Sequence, residues 1–297
     1  MTLDQLRIFL AVARHSHVTR AARDLNRTQS AVSAALSALQ TNHGVRLFDH
    51  VGRGIVLTQA GRDFVDTAQA LVTQADAAAT MLDDLSTETR GLLRIWASQT
   101  IASYWLPRHL IALRELYPRV DVALTVDNTE HVARVVSEGA ADLGFVEGAV
   151  STLDLKRQVV AQDELVLVLS ADHPQADLER FAEADYLSLR WILREPGSGT
   201  RSEFQAHLAT LGMTIDSLSV ALELPSNEAI LAAVSAGPYA TMLSRRAVNF
   251  DKAAGALRIR PVTWAPRPER PFAVLSHPTR YQTKAAKALI ALTQTHP

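Results

Sequence analysis

The 297-residue sequence predicts an α/β protein in three parts: a small helical head, one long helix and a larger α/β body. Three observations predict this organisation. Two short helical patterns meet at a polar turn near residue 26, and a later stretch repeats apolar residues every three or four positions. Beyond residue 91, strand-like and helix-like segments alternate, as in parallel sheets covered by helices. We expect the head at 1–58, the long helix and a hinge at 59–90, and the body at 91–297.

The composition excludes several classes of protein. The chain has no cysteine, which rules out a disulfide framework, a cysteine-ligated zinc and a cysteine nucleophile. The N-terminal MTLDQLRIFL lacks the pattern of a secretory signal, and no uncharged apolar run is long enough to span a membrane. We therefore expect a cytoplasmic protein that has no membrane segment.

Charge is distributed unevenly along the chain. The net charge is −1, but the first 61 residues contain seven Arg and three Asp and carry +4. The remainder therefore carries −5. A basic head on an acidic body indicates that only the head meets a polyanion.

The head is predicted to contain three helices. Thr2 can cap the first helix, and a short second helix covers about residues 19–25. Asn26 and Arg27 form the turn, and Thr28 caps the third helix. The buried stripe of the first helix is Leu3, Leu6, Phe9, Leu10 and Ala13, and that of the third is Ala31, Val32, Ala35, Leu36 and Leu39.

The other face of the third helix carries small side chains, which allow its backbone to approach DNA closely. Gln29 can pair with a base edge, preferably adenine, and the serines can donate to phosphates or bases. Strands at 45–48 and 55–57 would form a wing whose Arg53 reaches a groove or a phosphate. An ordinary amphipathic helix and hairpin is the alternative. The candidate DNA-binding residues are Thr28, Gln29, Ser30, Ser33, Ser37, Arg53 and Arg27.

The long helix carries a near-heptad apolar stripe. Because no domain surrounds the helix, the stripe indicates pairing with a second copy of the chain, although packing on its own body is an alternative. The stripe consists of Phe64, Ala68, Leu71, Ala75, Ala78, Leu82 and Leu85.

The order TQSAVSAALSALQ, RLFDH, LTQAG and long helix resembles the LysR-type transcriptional regulators. The resemblance implies a winged helix-turn-helix head, a dimerising linker helix, a two-lobed effector domain like a periplasmic binding protein, and homotetramers. It places lobe I at about 91–161 and 265–297, and lobe II at about 162–264. The family often has Arg or Gln where this chain has Ala34 and Ala35, and Glu where it has Gln40. Direct base readout is therefore expected to be sparse.

Hydroxyls, amides and glycines follow the predicted strands of the body, where ligands bind in open α/β sheets. In GSGTR, glycines free backbone N–H groups, while Thr200 and Arg201 suit an oxyanion. Glu147 would repel an anion unless it pairs with Arg201 or lines the rim. The simpler alternative is that these residues cap helices and form turns. The candidate effector residues are Ser98, Thr100, Asn128, Glu147, Ser198, Gly199, Thr200, Arg201 and Asn227.

REPGSGTR resembles a LysR branch that senses sulfur oxyanions or phosphorylated carbon metabolites. The expected function is a sequence-specific DNA-binding regulator controlled by a small anionic metabolite bound between the lobes, with no cofactor or metal. A solute-binding protein is the first alternative, because its body has the same two lobes. An enzyme is the least favoured, since the ten His are scattered and neither GxSxG nor a Walker motif is present.

Overall fold

The computed structural model describes residues 1–51, 54–85, 88–150, 154–250 and 255–295. The chain forms two compact units, Met1–Leu85 and Ser86–Pro297. No helix in the described ranges is both long enough and apolar enough to cross a membrane.

The first unit is a winged helix-turn-helix followed by a long helix, as predicted, although the first wing strand lies at 48–51 and not at the predicted 45–48. Its helices are α1 (Leu3–His15), α2 (Val18–Asp24), α3 (Gln29–His43) and α4 (Gln59–Asp84), and its antiparallel wing strands are β1 (Phe48–Val51) and β2 (Gly54–Leu57). The Thr2 side chain accepts a hydrogen bond from Gln5 N, and Thr28 accepts one from Ala31 N, so both predicted caps are present.

One apolar core joins the helices and the wing of this unit. The Phe9 ring lies 5.4 Å from that of Phe48 in the wing and 5.3 Å from that of Phe64 in α4. The prediction was wrong for two residues of the buried stripes, because Leu3 and Ala31 are exposed. Both lie in the first turn of their helices, before the residues that pack on the core.

Two polar side chains attach the wing to the helices. Gln40 Oε1 in α3 accepts hydrogen bonds from Leu47 N at 2.7 Å and Phe48 N at 3.2 Å. Thr58 Oγ1 donates to Arg46 O at 2.7 Å and accepts from Gly61 N at 3.0 Å, which joins the wing to the start of α4. Gln40 therefore has a clear structural role at the position where the family usually has Glu.

The second unit continues with alternating elements. The strands are β3 (Gly91–Ser98), β4 (Val120–Asp127), β5 (Leu143–Glu147), β6 (Lys156–Ser170), β7 (Arg190–Arg194), β8 (Ser219–Leu224), β9 (Ala240–Ser244), β10 (Leu257–Pro261) and β11 (Glu269–Ser276). The helices are α5 (Gln99–Tyr104), α6 (Leu106–Leu116), α7 (Thr129–Glu138), α8 (Glu183–Ser188), α9 (Gly199–Thr210), α10 (Asn227–Ser235), α11 (Arg245–Phe250) and α12 (Lys284–Thr295), with a single 3₁₀ turn at Ile215–Ser217.

Within the described residues these strands form one continuous sheet in the order β4-β3-β5-β11-β6-β9-β7-β8, with β10 paired to β6. Lobe I contains β3, β4 and β5 in parallel, and lobe II contains β7, β8 and β9 in parallel. The long strands β6 and β11 run antiparallel to their neighbours and connect the lobes. The sheet is therefore mixed rather than purely parallel, because the chain passes between the lobes and back.

Several predicted elements differ from those found. The sequence pattern predicts one helix at 101–116, but the structure has two helices that break at the buried Trp105, since Pro107 lacks an N–H and favours a new first turn. The pattern also predicts strands that start at 164 and 272, whereas β6 starts at Lys156 and β11 at Glu269. Polar residues conceal both strand starts in the sequence. Helices α8 and α11 and strand β10 were not predicted.

Replacing Gln40 tests the attachment of the wing. Gln40→Ala leaves two partly buried N–H groups without an acceptor, so we expect a loss of about 1–3 kcal/mol in unfolding free energy. Gln40→Glu keeps the carbonyl-type oxygen and serves as the matched control. Calorimetric unfolding of the full chain measures both variants. Equal losses in the two variants would contradict the role of this acceptor.

Candidate DNA interface and effector site

Helix α3 presents the predicted recognition face to solvent. Gln29, Ser30 and Ser37 are exposed, and Ser33 is half-buried. Gln29 Nε2 donates to Ser33 Oγ at 3.0 Å, one turn further along the helix. This contact restricts the Gln29 side chain to the exposed face, where its amide is available to a base edge.

The cations of the head differ from those expected. Arg27 lies 2.7 Å from Asp4 Oδ1, so its charge is partly offset by an exposed ion pair. Within the described part of the head, Arg20 and Arg23 of α2 are exposed and form no ion pair. They flank the buried Ala21-Ala22 pair, a pattern that could have indicated them in the sequence. Arg53, predicted at the tip of the wing, lies outside the described residues.

Two of the predicted effector residues form part of a contact between the lobes. Asn227 Nδ2 at the start of α10 donates to Thr100 Oγ1 at 3.2 Å, and Gln99 Oε1 accepts from Asn227 N at 3.0 Å. Glu228 accepts from Gln99 Nε2 at 2.6 Å and from Tyr104 at 2.7 Å. Arg194 Nη1 donates to Asn227 Oδ1 at 3.1 Å. We call these residues, including Arg194, the interlobe latch. Thr100 and Asn227 therefore bind each other.

The interlobe latch also shifts a pKa. Burial acts to raise the pKa of Glu228, but hydrogen bonds from Tyr104 and Gln99 outweigh burial, so its pKa is lowered from its ordinary value. The ionised carboxylate is therefore the form that holds the latch. Its contribution to stability is present at neutral pH and is lost as the pH falls through the lowered pKa.

A second group of predicted residues, Ser98, Glu147 and Thr200, is buried together with residues that were not predicted. We call the whole group the inner cluster, which consists of Ser98, Glu147, Asp163, Thr200, Ser244 and Arg270. Every member has less than one-tenth of its surface exposed. Glu147 accepts a hydrogen bond from Ser98, and its Oε1 lies 3.7 Å from Arg270 Nη1. Neither of the two arrangements considered for Glu147, a pair with Arg201 or a place on the rim, is found, because its partner is the buried Arg270.

Arg270 links strands and lobes within the inner cluster. Its Nε donates to Asp163 Oδ2 at 2.9 Å across the β6–β11 pair, and its Nη1 donates to Thr200 Oγ1 at 3.0 Å. Its Nη2 also lies 2.9 Å from Asp163 Oδ2 but is not aligned for a hydrogen bond. Ser244 donates to Asp163 at 2.9 Å. Sequence reasoning missed both Arg270 and Asp163, because their strands begin in polar stretches.

An open cleft of about 650 Å³ lies on the α7–α9 side of the lobes, and we call it the outer cleft. Of the predicted residues, only Ser198 and Arg201 line it. Arg201 Nη1 is bound to Arg194 O and Glu223, so this guanidinium is already paired. The prediction that Arg201 offers a free fork to an oxyanion is therefore wrong.

Two further predicted residues, Asn128 and Gly199, have structural roles near the outer cleft but do not line it. Asn128 Oδ1 accepts from His131 N at 3.0 Å and so caps α7. A Cβ on Gly199 would come within 2.2 Å of Glu147 O, so only glycine permits this close approach of the lobes. Nearby, Glu130 N donates to Gly197 O at 3.2 Å.

Glu203 in α9 lies close to the inner cluster. Burial raises the pKa of its carboxyl above the ordinary value, and the charge of Glu147 raises it further, against the opposing effect of Arg270 and Arg157. Ionised Glu203 is therefore less favourable in the folded protein than in the unfolded chain.

The fold and these surfaces define a class: a regulator that binds DNA through a winged helix-turn-helix and carries a two-lobed ligand-binding body. Two family models match the chain, "Bacterial regulatory helix-turn-helix protein, lysR family" at residues 3–62 and "LysR substrate binding domain" at 86–297. The chain belongs to the LysR family of transcriptional regulators. It is a DNA-binding transcriptional regulator with an effector-binding domain, which excludes the enzyme and solute-binding alternatives.

Curated relatives support the assignment. The uncharacterized HTH-type transcriptional regulator YeiE of Escherichia coli (strain K12) is 36% identical over 261 residues, covering 86% of this chain and 85% of that protein. The probable RuBisCO transcriptional regulator of Synechocystis sp. is 34% identical over 293 residues, covering 97% and 84%.

Solved structures show the same fold. A full-length OxyR variant from Pseudomonas aeruginosa matches with a TM-score of 0.74 at 21% identity, covering 99% of this chain and 95% of that one. Full-length CbnR in complex with its target DNA matches with a TM-score of 0.70 at 19% identity, covering 99% of both chains.

Glu203→Gln is expected to stabilise the protein at neutral pH. Because the pKa of Glu203 is raised in the folded protein, its ionised form destabilises the folded state at pH values above 4.5, the ordinary pKa of this carboxyl. This destabilisation diminishes as the pH falls. The variant should therefore raise Tm at pH 7, with a smaller gain at pH 5. Glu115→Gln on the exposed surface of α6 is the control. A Tm gain independent of pH would contradict the assignment.

Proposed function

We propose that this regulator responds to a small oxyanion-bearing metabolite held in the outer cleft at the N-terminus of α9. The observation that carries the proposal is Ser198, the N-cap residue of that helix. Ser198 is 97% buried, and its hydroxyl makes no capping bond and has no hydrogen-bond partner among the described residues. A buried unpartnered hydroxyl beside uncapped helix N–H groups is suited to an anion.

Arg134 supplies the cation that Arg201 does not. It lies on α7 across the outer cleft, is exposed, and forms no ion pair within the described ranges. Glu130 and Asp216 also line the outer cleft, so its wall is not uniformly basic. This mixture favours a ligand with one oxyanion and an uncharged or cationic remainder over a compact polyanion. The volume of about 650 Å³ suits a small metabolite.

The chemical class of the effector stays open between sulfur oxyanions and phosphorylated metabolites. The name of the Synechocystis relative, a probable RuBisCO transcriptional regulator, supports keeping phosphorylated carbon metabolites among the candidates. The effector would act by binding one arrangement of the lobes better than another, and its influence is limited to that difference in affinity.

On the DNA side, we propose that Gln29, Ser30, Ser33 and Ser37 read base edges while Thr28 and the helix N-terminus position α3 on a phosphate. Arg20 and Arg23 add unpaired positive charge for phosphates, with Arg53 as the expected wing contact. Because the reading face is small and uncharged, one head discriminates sequences weakly. Because the protein acts on DNA, we propose that it is located in the cytoplasm.

Self-association would supply the missing specificity. Leu82 in α4 and Leu85 just beyond its end have 71% and 67% of their surface exposed, on an apolar stripe that a second copy of the chain would cover. We propose a dimer through α4 and a homotetramer in total, so that several heads bind one site together.

The effector site is tested by binding of sulfate, inorganic phosphate and phosphorylated sugars to the full chain. Ser198→Ala removes one hydroxyl donor, and Arg134→Gln removes the free cation, so we expect each variant to lower affinity about tenfold. Ser235→Ala, whose hydroxyl bonds Ala232 O on α10, is the matched control. Unchanged affinity in Ser198→Ala, measured by calorimetry, would disprove the α9 site.

The DNA interface is tested on a site selected from random DNA with the wild-type protein. Gln29→Ala should lose about 1–3 kcal/mol of preference for that site over random DNA. Arg20→Gln and Arg23→Gln should weaken binding to both and reduce the salt slope by about 1 each. Arg46→Gln, whose guanidinium lies 2.8 Å from Asp49, should change the slope less. Identical effects of Gln29→Ala on both DNAs would refute base readout.

A further inference from the structure

The carboxylate of Glu147 is buried. Glu147 is the last residue of β5, at the carboxyl end of a strand, where ligands of open α/β sheets bind. The Ser98 hydroxyl donates to it, and the Arg270 guanidinium lies 3.7 Å away on its other oxygen. A hydroxyl and a guanidinium are the kind of donors that a protein uses for a ligand's oxyanion.

The two donors differ in the partners that they have besides Glu147. Ser98 is the N-cap residue of α5, yet it makes no capping bond to that helix. Arg270 binds Asp163 through Nε and Thr200 through Nη1, which leaves its contact with Glu147 as a longer ion pair. Glu147 is 99% buried, so its charge is not screened by solvent.

We propose that Glu147 is a built-in ligand: its carboxylate takes the place of an oxyanion between Ser98 and Arg270, and a small inorganic oxyanion must compete with it. The inference rests on the proposed oxyanion site at α9. A tethered group has a high effective concentration, so it competes even against a ligand with better intrinsic contacts. Its negative charge also opposes a second anion nearby.

Glu147 thereby sets both the affinity of the protein for oxyanions and how far from the outer cleft toward the inner cluster they bind. Simple anions such as sulfate and phosphate are held weakly and remain in the outer cleft. A ligand that displaces Glu147 gains Ser98 and Arg270, and through Arg270 it reaches Asp163 of β6 and Thr200 of α9. Asp163 lies in β6, one of the two strands that connect the lobes, and Thr200 lies in lobe II. Displacement of Glu147 in lobe I would therefore change contacts in lobe II.

The test compares phosphate and sulfate binding to full-length Glu147→Gln and Glu203→Gln, by calorimetry, with DNA binding as the check of folding. Glu147→Gln keeps the shape and the acceptor for Ser98 but removes the charge. We expect it to bind phosphate about tenfold or more tightly than the wild type, a difference of about 1.4 kcal/mol. Glu203→Gln removes a nearby group of the same sign. Within the described residues, Glu203 is neither a hydrogen-bond nor an ion-pair partner of Ser98 or Arg270, so its replacement should change affinity little.

Each outcome separates this inference from the proposed function. If wild type and Glu147→Gln bind phosphate equally, and Ser198→Ala weakens both, the α9 site stands and the built-in ligand is refuted. Equal gains in the two Glu variants would show a general charge effect and would also refute it. If the wild type binds neither anion while Glu147→Gln binds them, the inference holds in its strongest form. If neither protein binds either anion, both the inference and the oxyanion site fail.

Discussion

The pairing of Arg270 with Asp163 is the interaction on which the arrangement of the body depends. The two residues face each other across β11 and β6, the strands that carry the chain between the lobes. Neither charge is accessible to solvent, so each requires the other, and removal of one partner from such a pair typically costs about 3–5 kcal/mol. Ser244 and Thr200 bring lobe II to this pair, and Glu147 brings lobe I.

Much of the fold was predictable because its elements follow simple periodicities. The helical stripes, the caps at Thr2 and Thr28 and the alternation of strands and helices gave the correct class and most of the elements. The prediction failed where tertiary contacts override local patterns. Gln162 and Asp163 indicate a loop by composition, but β6 runs through them because Asp163 is neutralised by a residue 107 positions away.

The candidate site was only partly predictable, for a related reason. Strand ends led to residues that join the lobes, since Thr100 binds Asn227 and Thr200 binds Arg270. The sequence could not show which of them bind one another, because hydrogen-bond partners from different lobes are far apart along the chain. Arg201 looked free and is paired with Glu223, whereas Arg134 drew no attention because it belongs to an ordinary helix.

The interlobe latch lies on one side of the body and the outer cleft on the other, and this asymmetry has a mechanical consequence. Several side-chain hydrogen bonds join α5 to α10, whereas the cleft side has the backbone bond between Glu130 and Gly197. A ligand that pushes the lobes apart at the outer cleft would rotate one lobe against the other about an axis at the interlobe latch. Displacement grows with distance from such an axis, so an ångström gained at the cleft is amplified at the outer strands β4 and β8. The body would then work as a lever that converts the size of a small molecule into the spacing of distant surfaces.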